Sequence, residues 1–408
     1  MSVVFGRPYR FVPPHRGDLW PAVIQRLRLI DWHLRRKEGV ISYECRRTER
    51  LADSLRRGDA VLLAPNHCRY ADPIVLGWLA RSTDTFVYAM ASWHLFNQNA
   101  WQSFAMRRMG GFSIYREGPD RQSLDTAIRI LERAERPLIL FPEGTTNRTN
   151  DVLKPLLDGV TFIARSAARR REKQTGGRVV IHPIGIKYLC HGDFRPWAEG
   201  QLHELERRIS WRLPRGRSVL DRTLRLAEAM LSLKEIEAFG RSQSGDLPRR
   251  RDRLMLRLLA DAEALLAITP DPDDSIRDRV RKIRTEAATR HFSANPWRVE
   301  AGEVASELED AVAAADLAQF LQSFPDRYLQ PGQVTDTRIV ETIQRIQEVV
   351  VGKASDTMPL HAVIEVDEAI AVPAEKAPRG QADPLLAELE SRLAGMLERL
   401  SREARPVD

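Results

Sequence analysis

The sequence predicts a layered α/β protein that carries an appended helical bundle, and three observations lead there. Between Asp59 and Leu189 short β-rich runs alternate with helical stretches, the pattern of a sheet covered by helices. From Cys190 onward the chain turns to long, charged helical segments with few strand candidates. A β-rich run then returns at His361 to Val372 (HAVIEVDEAIAV), ahead of one more amphipathic helix.

Taken in order, the expected strands are Ala60 to Ala64, Thr85 to Ala89, Phe112 to Tyr115, Pro137 to Phe141 and Arg178 to Lys187. Each combines β-branched or aromatic residues with a polar or glycine-containing flank. Helices are expected between them at Pro73 to Arg81, Trp93 to Met109, Arg121 to Arg136 and Leu156 to Lys173. In the bundle the apolar spacing marks Leu202 to Leu213, Val219 to Phe239, Arg249 to Ile268, Glu303 to Phe324 and Thr337 to Val350. Pro373 to Gln381 reads as a late linker. Asp383 and Pro384 then form a cap and first-turn pair opening a helix through Leu389, Leu393, Met396 and Leu400.

At 408 residues the chain can bury a sizeable core without staples. Its three cysteines, Cys45, Cys68 and Cys190, are widely separated and in no CxxC spacing, which speaks against a disulfide framework and against zinc. No apolar run approaches the ~18 to 20 residues of a spanning helix, and MSVVFGRPYR lacks the apolar region of a signal peptide, so a cytoplasmic location is the expectation. The net charge of +7 is concentrated at the start, where residues 1 to 50 hold eleven Arg or Lys against five acids. Within that stretch Trp20, Val23, Ile24, Leu27, Ile30 and Leu34 would form one apolar face of a helix from Leu19 to Arg36, with arginines around it. Such a basic amphipathic helix suits an anionic membrane interface; packing of the same face on the protein's own core is the alternative. No motif of a nucleic-acid reader accompanies the charge.

Four short segments carry chemistry. The apolar strand VLLAP runs into Asn66-His67-Cys68-Arg69-Tyr70-Ala71-Asp72-Pro73, which places a histidine at a strand end and an aspartate at a helix start. A chain reversal there would join them, and an imidazole held in one tautomer by a carboxylate is suited to deprotonating an alcohol. Asp72 before Pro73 is equally the composition of a helix N-cap. The second segment, Phe141-Pro142-Glu143-Gly144-Thr145-Thr146-Asn147-Arg148, ends a buried strand in a polar turn where Gly144 lets backbone approach a ligand and Arg148 offers a cation. In the third, Gly110 to Arg116, an arginine follows a strand. The fourth is Val180-Ile181-His182-Pro183-Ile184, a strand whose proline suggests an edge or a bulge.

NHxxxxD, then GxxxxR, then FPEGT about 75 residues after the first block, then an apolar-x-Pro-apolar strand, together resemble the glycerolipid acyltransferase superfamily, over roughly Leu51 to Leu189. The resemblance implies a mixed β-sheet flanked by helices, with His67 as general base and Asp72 orienting it. It further implies that Asn66, Arg116, Glu143, Gly144 and Thr145 hold the acceptor, with Arg148 taking the phosphate because Thr146 and Asn147 replace the Arg-Ser that often follows EGT. The late strand and helix look like that family's closing elements displaced by an insertion. The expected division is 1–50 as a membrane-surface segment, 51–200 as acyltransferase core, 201–358 as a helical insertion and 359–408 as the closing strand and helix. The implied reaction moves a fatty acyl group from acyl-CoA or acyl carrier protein to a hydroxyl of a glycerol-phosphate or lysophospholipid, in the manner of a 1-acylglycerol-3-phosphate acyltransferase, on the inner face of a membrane. It needs no cofactor and no metal. A thioester hydrolase and a non-catalytic lipid-binding scaffold are the alternatives; no GxSxG elbow is present for a serine hydrolase.

Overall fold

The computed structural model describes residues 9–209, 216–293, 301–330, 332–354, 357–375 and 382–407. One eight-stranded sheet organises the chain: β1 (Val40–Arg46), β2 (Ala60–Pro65), β3 (Tyr88–Ser92), β4 (Gly111–Ile114), β5 (Leu138–Ile139), β6 (Val179–Cys190), β7 (Leu360–Val366) and β8 (Ile370–Ala371). Their order is β1-β7-β6-β2-β5-β3-β4, with β8 also paired to β6. Pairing is parallel except where β7 and β8 run antiparallel to β6. The sheet is therefore mixed, and the strands on either side of the helical segment belong to the same sheet.

Helices cover both faces. The first six are α1 (Leu19–Arg26), α2 (Leu29–Lys37), α3 (Thr48–Arg56), α4 (Asp72–Ser82), α5 (Ala100–Arg108) and α6 (Arg121–Arg133), followed by α7 (Gly159–Thr175). On β2, Val61 and Leu63 face one core with Leu76 and Leu79 of α4, while Ala60, Leu62 and Ala64 face the other with Ile130, Ile163 and Leu389. This is the period-two alternation of a strand buried on both sides. The helical segment comprises α8 (Arg195–Ile209), α9 (Val219–Phe239), α10 (Leu247–Leu265), α11 (Ile276–Ser293), α12 (Ala301–Leu321) and α13 (Asp336–Val351). Leu254, Leu259, Ile283 and Val312 centre a separate apolar cluster within it. The last helix, α14 (Pro384–Ser401), is capped by the Asp383 side chain and buries Leu389, Leu393, Met396 and Leu400. Four such side chains contribute about 1.5–3 kcal/mol each relative to exposure.

Several boundaries differ from the sequence expectation. The helix expected over Trp93 to Met109 is a short 3-10 turn at Trp93–Phe96 followed by α5, because the Asn99 side chain accepts from the Gln102 N–H at 2.7 Å and starts a new helix. The strand expected from Thr85 begins at Tyr88. The single helix expected over Leu19 to Arg36 is broken, since Arg28 adopts a left-handed backbone (φ 50°) between α1 and α2. Its apolar face divides accordingly: Leu34 is buried and Ile30 packs against the core, whereas Leu27 and Trp20 are exposed. The end of the helix expected at Leu202 to Leu213, and most of the linker Pro373 to Gln381, lie outside the described residues. β1, α3 and α11 were not expected from the sequence.

Candidate active site

The carboxyl ends of β2 and β5 meet at the middle of the sheet, where ligands of open α/β sheets bind. β2 stops at Pro65, but β6, twice its length, continues past it to Cys190. The overrunning half supplies a wall for the loop that follows β2. Asn66 is pinned to this wall: its amide donates to the Ile186 carbonyl at 3.0 Å and its oxygen accepts from the Ile186 N–H at 2.7 Å. Buried and engaged on both groups, Asn66 fixes the start of the loop.

With its first residue anchored, the loop turns back so that His67 and Asp72 meet. His67 Nδ1 lies 2.9 Å from Asp72 Oδ2. Asp72 is fully buried at the first position of α4, with Ala71 as the N-cap, so its carboxylate is free of the capping role its sequence position suggested. It accepts from the Arg69 N–H at 2.9 Å and from the Tyr188 hydroxyl at 2.7 Å. Because those partners donate, the imidazole N–H at Nδ1 donates as well, leaving Nε2 as the acceptor nitrogen. Nε2 faces the Thr146 hydroxyl at 3.1 Å, and Phe141 stacks on the ring at a centroid distance of 4.1 Å.

The turn after β5 is shaped by Glu143 and Gly144. Glu143 is fully buried and accepts from the His67 N–H at 2.7 Å, the Asn147 amide at 3.0 Å and the Lys154 N–H at 2.9 Å. Burial pushes its carboxyl up to about 7, with the hydrogen bonds opposing that rise. Both of its oxygens are engaged, and they tie the two loops together. Gly144 has φ +72°, a backbone conformation that favours glycine, and a Cβ there would also displace the end of the Leu157 side chain. Thr145 is half-buried beside it, and Thr146 rather than Thr145 reaches the histidine.

The cations are arranged differently from the expectation. Arg148 forms an ion pair with Glu348 of α13 and stacks over the Tyr70 ring at 4.6 Å. Its carbonyl accepts from Arg345, and Arg69 likewise donates to Gln344, so α13 grips the active-site loops through polar contacts. A phosphate role for Arg148 would require breaking the pair with Glu348. Two other cations are open. Arg116, beyond β4, is solvent-accessible, and Lys154 is half-buried; neither has a hydrogen-bond partner for its charged group among the described residues. Loss of hydration lowers the Lys154 ammonium to about 8, with Glu143 opposing and the nearby Arg277 adding to the fall. The charged neighbours of the exposed Arg116 are Glu117 and, on α11, Arg284. Arg277, at the start of α11, donates to the Pro155 carbonyl at 2.8 Å and interacts with Glu143, so the helical segment brings a positive charge to the site. Tyr188, Lys154 and Arg277 were not singled out by the sequence.

No group of three or more His, Cys, Asp and Glu side chains that could hold a metal ion exists among the described residues. Cys68, buried beside Asp72, is held protonated by burial and by that carboxylate.

A buried Asp–His pair after a central parallel strand, with the second imidazole nitrogen against the Thr146 hydroxyl, is an arrangement chemically suited to drawing a proton from a hydroxyl or water. Residues 46–187 match the family model described as Acyltransferase. Among curated proteins the chain is similar to a 1-acyl-sn-glycerol-3-phosphate acyltransferase of Streptococcus pneumoniae, 32% identical over 110 residues, which are 27% of this chain. The match spans 38% of that relative's length. No solved structure matches the chain.

Proposed function

We propose that this protein transfers a fatty acyl group from an acyl thioester to a hydroxyl of a phosphate-bearing glycerolipid, with His67 as general base and Asp72 as its orienter. The single observation that carries the reading is the 2.9 Å contact between His67 Nδ1 and the fully buried Asp72, which leaves Nε2 directed at Thr146. In this mechanism the acceptor hydroxyl displaces the Thr146 contact and gives its proton to Nε2 as its oxygen attacks the thioester carbonyl. The imidazolium so formed is stabilised by Asp72 and returns the proton as the thiolate leaves. No acyl-enzyme is formed. The name of the Streptococcus pneumoniae relative favours 1-acylglycerol-3-phosphate as the acceptor class.

The acceptor's phosphate is assigned to Arg116 and Lys154, with Arg277 closing over it from α11. Arg277 lies close enough to Lys154 to lower its ammonium, and Arg116 and Lys154 lack competing hydrogen bonds. Lys154→Ala and Arg277→Ala are each expected to raise KM for lysophosphatidate about tenfold, the lower range for a charged hydrogen bond, with kcat little changed. Arg148→Ala should leave that KM near the wild-type value. Since Lys154 titrates near 8, it is charged below that pH and neutral above it. Acceptor KM should therefore rise as pH passes upward through about 8, and this rise should vanish in Lys154→Ala.

A membrane-surface location on the cytoplasmic side fits the same reading. No helix among the described residues is long and apolar enough to cross a membrane. Trp20 of α1 packs against Phe104 of α5 at 5.2 Å, and Trp101, 83% exposed, and Leu19, 72% exposed, extend that surface. Arg108 stacks over both Phe104 and Trp20. Aromatic rings with adjoining arginines suit the interface of an anionic bilayer. Trp101→Ala should weaken sedimentation with anionic vesicles about tenfold, in line with loss of one inserted aromatic side chain. Unchanged sedimentation would remove this surface from the model of membrane binding.

A further inference from the structure

The loops after β3 and β4 hold a second histidine–carboxylate pair, one that the chemistry at His67 does not use. β2, β5, β3 and β4 are neighbours in this order and all run parallel, so the loops that follow them leave from one edge of the sheet. His67 follows β2 on that edge, and Thr146 lies beyond β5. Ser92 at the end of β3 pairs with Ile114 at the end of β4, which sets Trp93 and His94 beside Tyr115, Arg116 and Glu117. Glu117 is buried, and two ring nitrogens hold its carboxylate: His94 Nε2 lies 2.9 Å from one oxygen and the Trp93 indole N–H donates to the other at 3.2 Å. Carboxylate oxygens only accept, so His94 Nε2 carries the hydrogen. Nδ1 of the same ring is buried without a hydrogen-bond partner, and the ring is therefore committed to Glu117 alone. Burial acts to raise the Glu117 carboxyl, but its interactions with His94 and Trp93 outweigh this and hold it below the usual carboxylate range.

Stability does not account for this pair. Apolar side chains of similar volume commonly replace a buried charged pair at no loss, so a role in placement explains it better. What it places is the residue before Glu117. The loop is fixed on the other side as well, since the Asp120 carboxylate accepts from the Tyr115 N–H at 2.9 Å, from the Ser123 N–H at 3.0 Å and from the Tyr9 hydroxyl. Arg116 thus stands between two anchored residues, while its own guanidinium has no hydrogen-bond partner among the described residues. A cation on a fixed backbone, with its donors uncommitted, is preorganised to meet an anion.

We propose that His94 and Glu117 are positioning residues for Arg116: they hold its loop so that the guanidinium meets the acceptor's phosphate. The proposal rests on the assignment of Arg116 to that phosphate. Neither residue touches the substrate. They act on acceptor binding and leave proton transfer at His67 unaffected.

The test is a double-mutant cycle in the full-length protein, with palmitoyl-CoA as donor and lysophosphatidate as acceptor. Arg116→Ala should raise acceptor KM about tenfold. His94→Ala should raise it about fivefold with kcat little changed, and should add nothing in the Arg116→Ala background. His94→Gln, whose amide can donate to Glu117 in place of Nε2, should return KM to within about twofold of wild type. If Arg116→Ala leaves KM unchanged, the phosphate assignment fails and the proposal falls with it. If Arg116→Ala raises KM while His94→Ala does not, or if His94→Ala raises it by the same factor in both backgrounds, the assignment stands and the positioning role is overturned. A fall in kcat and Tm with KM unaltered also overturns it, because that is the mark of a purely structural pair. Should His94→Ala fail to fold, Trp93→Phe removes the other donor to Glu117 while keeping an aromatic ring, and its increase in KM should likewise vanish beside Arg116→Ala.

Discussion

His67→Ala is expected to lower the turnover of acyl transfer by about 10² to 10⁴, the range for loss of a positioned general base. The expectation follows from where the side chain sits. Its Nε2 has a hydroxyl neighbour and no charged competitor, and its Nδ1 is committed to Asp72. Alanine removes both the proton acceptor and the wall that Phe141 stacks upon, yet the loop remains anchored through the His67 backbone N–H to Glu143 and through Asn66 to β6. Acceptor KM should therefore change far less than kcat, the pattern of an interaction made mainly in the transition state. Steady-state kinetics with a saturating thioester distinguishes this from a collapsed site, in which both parameters would deteriorate.

Asp72→Asn should be nearly as damaging, with kcat reduced on the order of 10³ to 10⁴. Asp72 receives N–H and O–H donors from His67, Arg69 and Tyr188, and the weak Cys68 thiol donor at 3.8 Å. Asparagine has the same shape but offers one accepting oxygen and a donating amide. Either the imidazole is driven to the tautomer with hydrogen on Nε2, which removes the base, or a buried N–H or O–H faces another donor. The second outcome costs about 1–3 kcal/mol for an unsatisfied buried group. A fall in kcat larger than the accompanying fall in Tm explains would identify the tautomer effect. Tyr188→Phe removes only one donor and should leave kcat within about tenfold of wild type.

What the sequence revealed of this site was what the chain encodes locally. His67 and Asp72 are five residues apart, and Gly144 follows a buried strand, so spacing alone brings the first pair to a strand end and places the second in a turn. The layered α/β class was legible for the same reason, since the continuous apolar run of β2 and the apolar spacing of α9 and α14 are local patterns. Contacts set by packing were not. Tyr188 reaches Asp72 because β6 overruns β2 on one side of the sheet. Arg148 was the natural phosphate ligand by position, but α13 places Glu348 against it. Arg277 arrives from α11, a helix with few strongly apolar residues whose Val280, Ile283, Ala287 and Ala288 pack within the bundle. The break at Arg28 was hidden because the apolar spacing continues through it, and nothing in an arginine announces a left-handed backbone.

The helical segment changes how the catalytic loops are held. Arg69, Arg148 and Asn150 each contact α13, through Gln344, Glu348 and Glu341. The loops that carry the histidine and the glycine turn thus rest on a helix more than 150 residues further along the chain.

The central claim is that an acceptor hydroxyl, rather than water, attacks the thioester at His67. The direct measurement is release of free thiol from palmitoyl-CoA by wild type and His67→Ala, each with and without lysophosphatidate. Wild type alone should release thiol slowly, with a large increase when the acceptor is added and diacyl product formed in equal amount, and His67→Ala should show neither. Rapid release that the acceptor does not alter, or acceptor-dependent product formation that survives in His67→Ala, would contradict the claim.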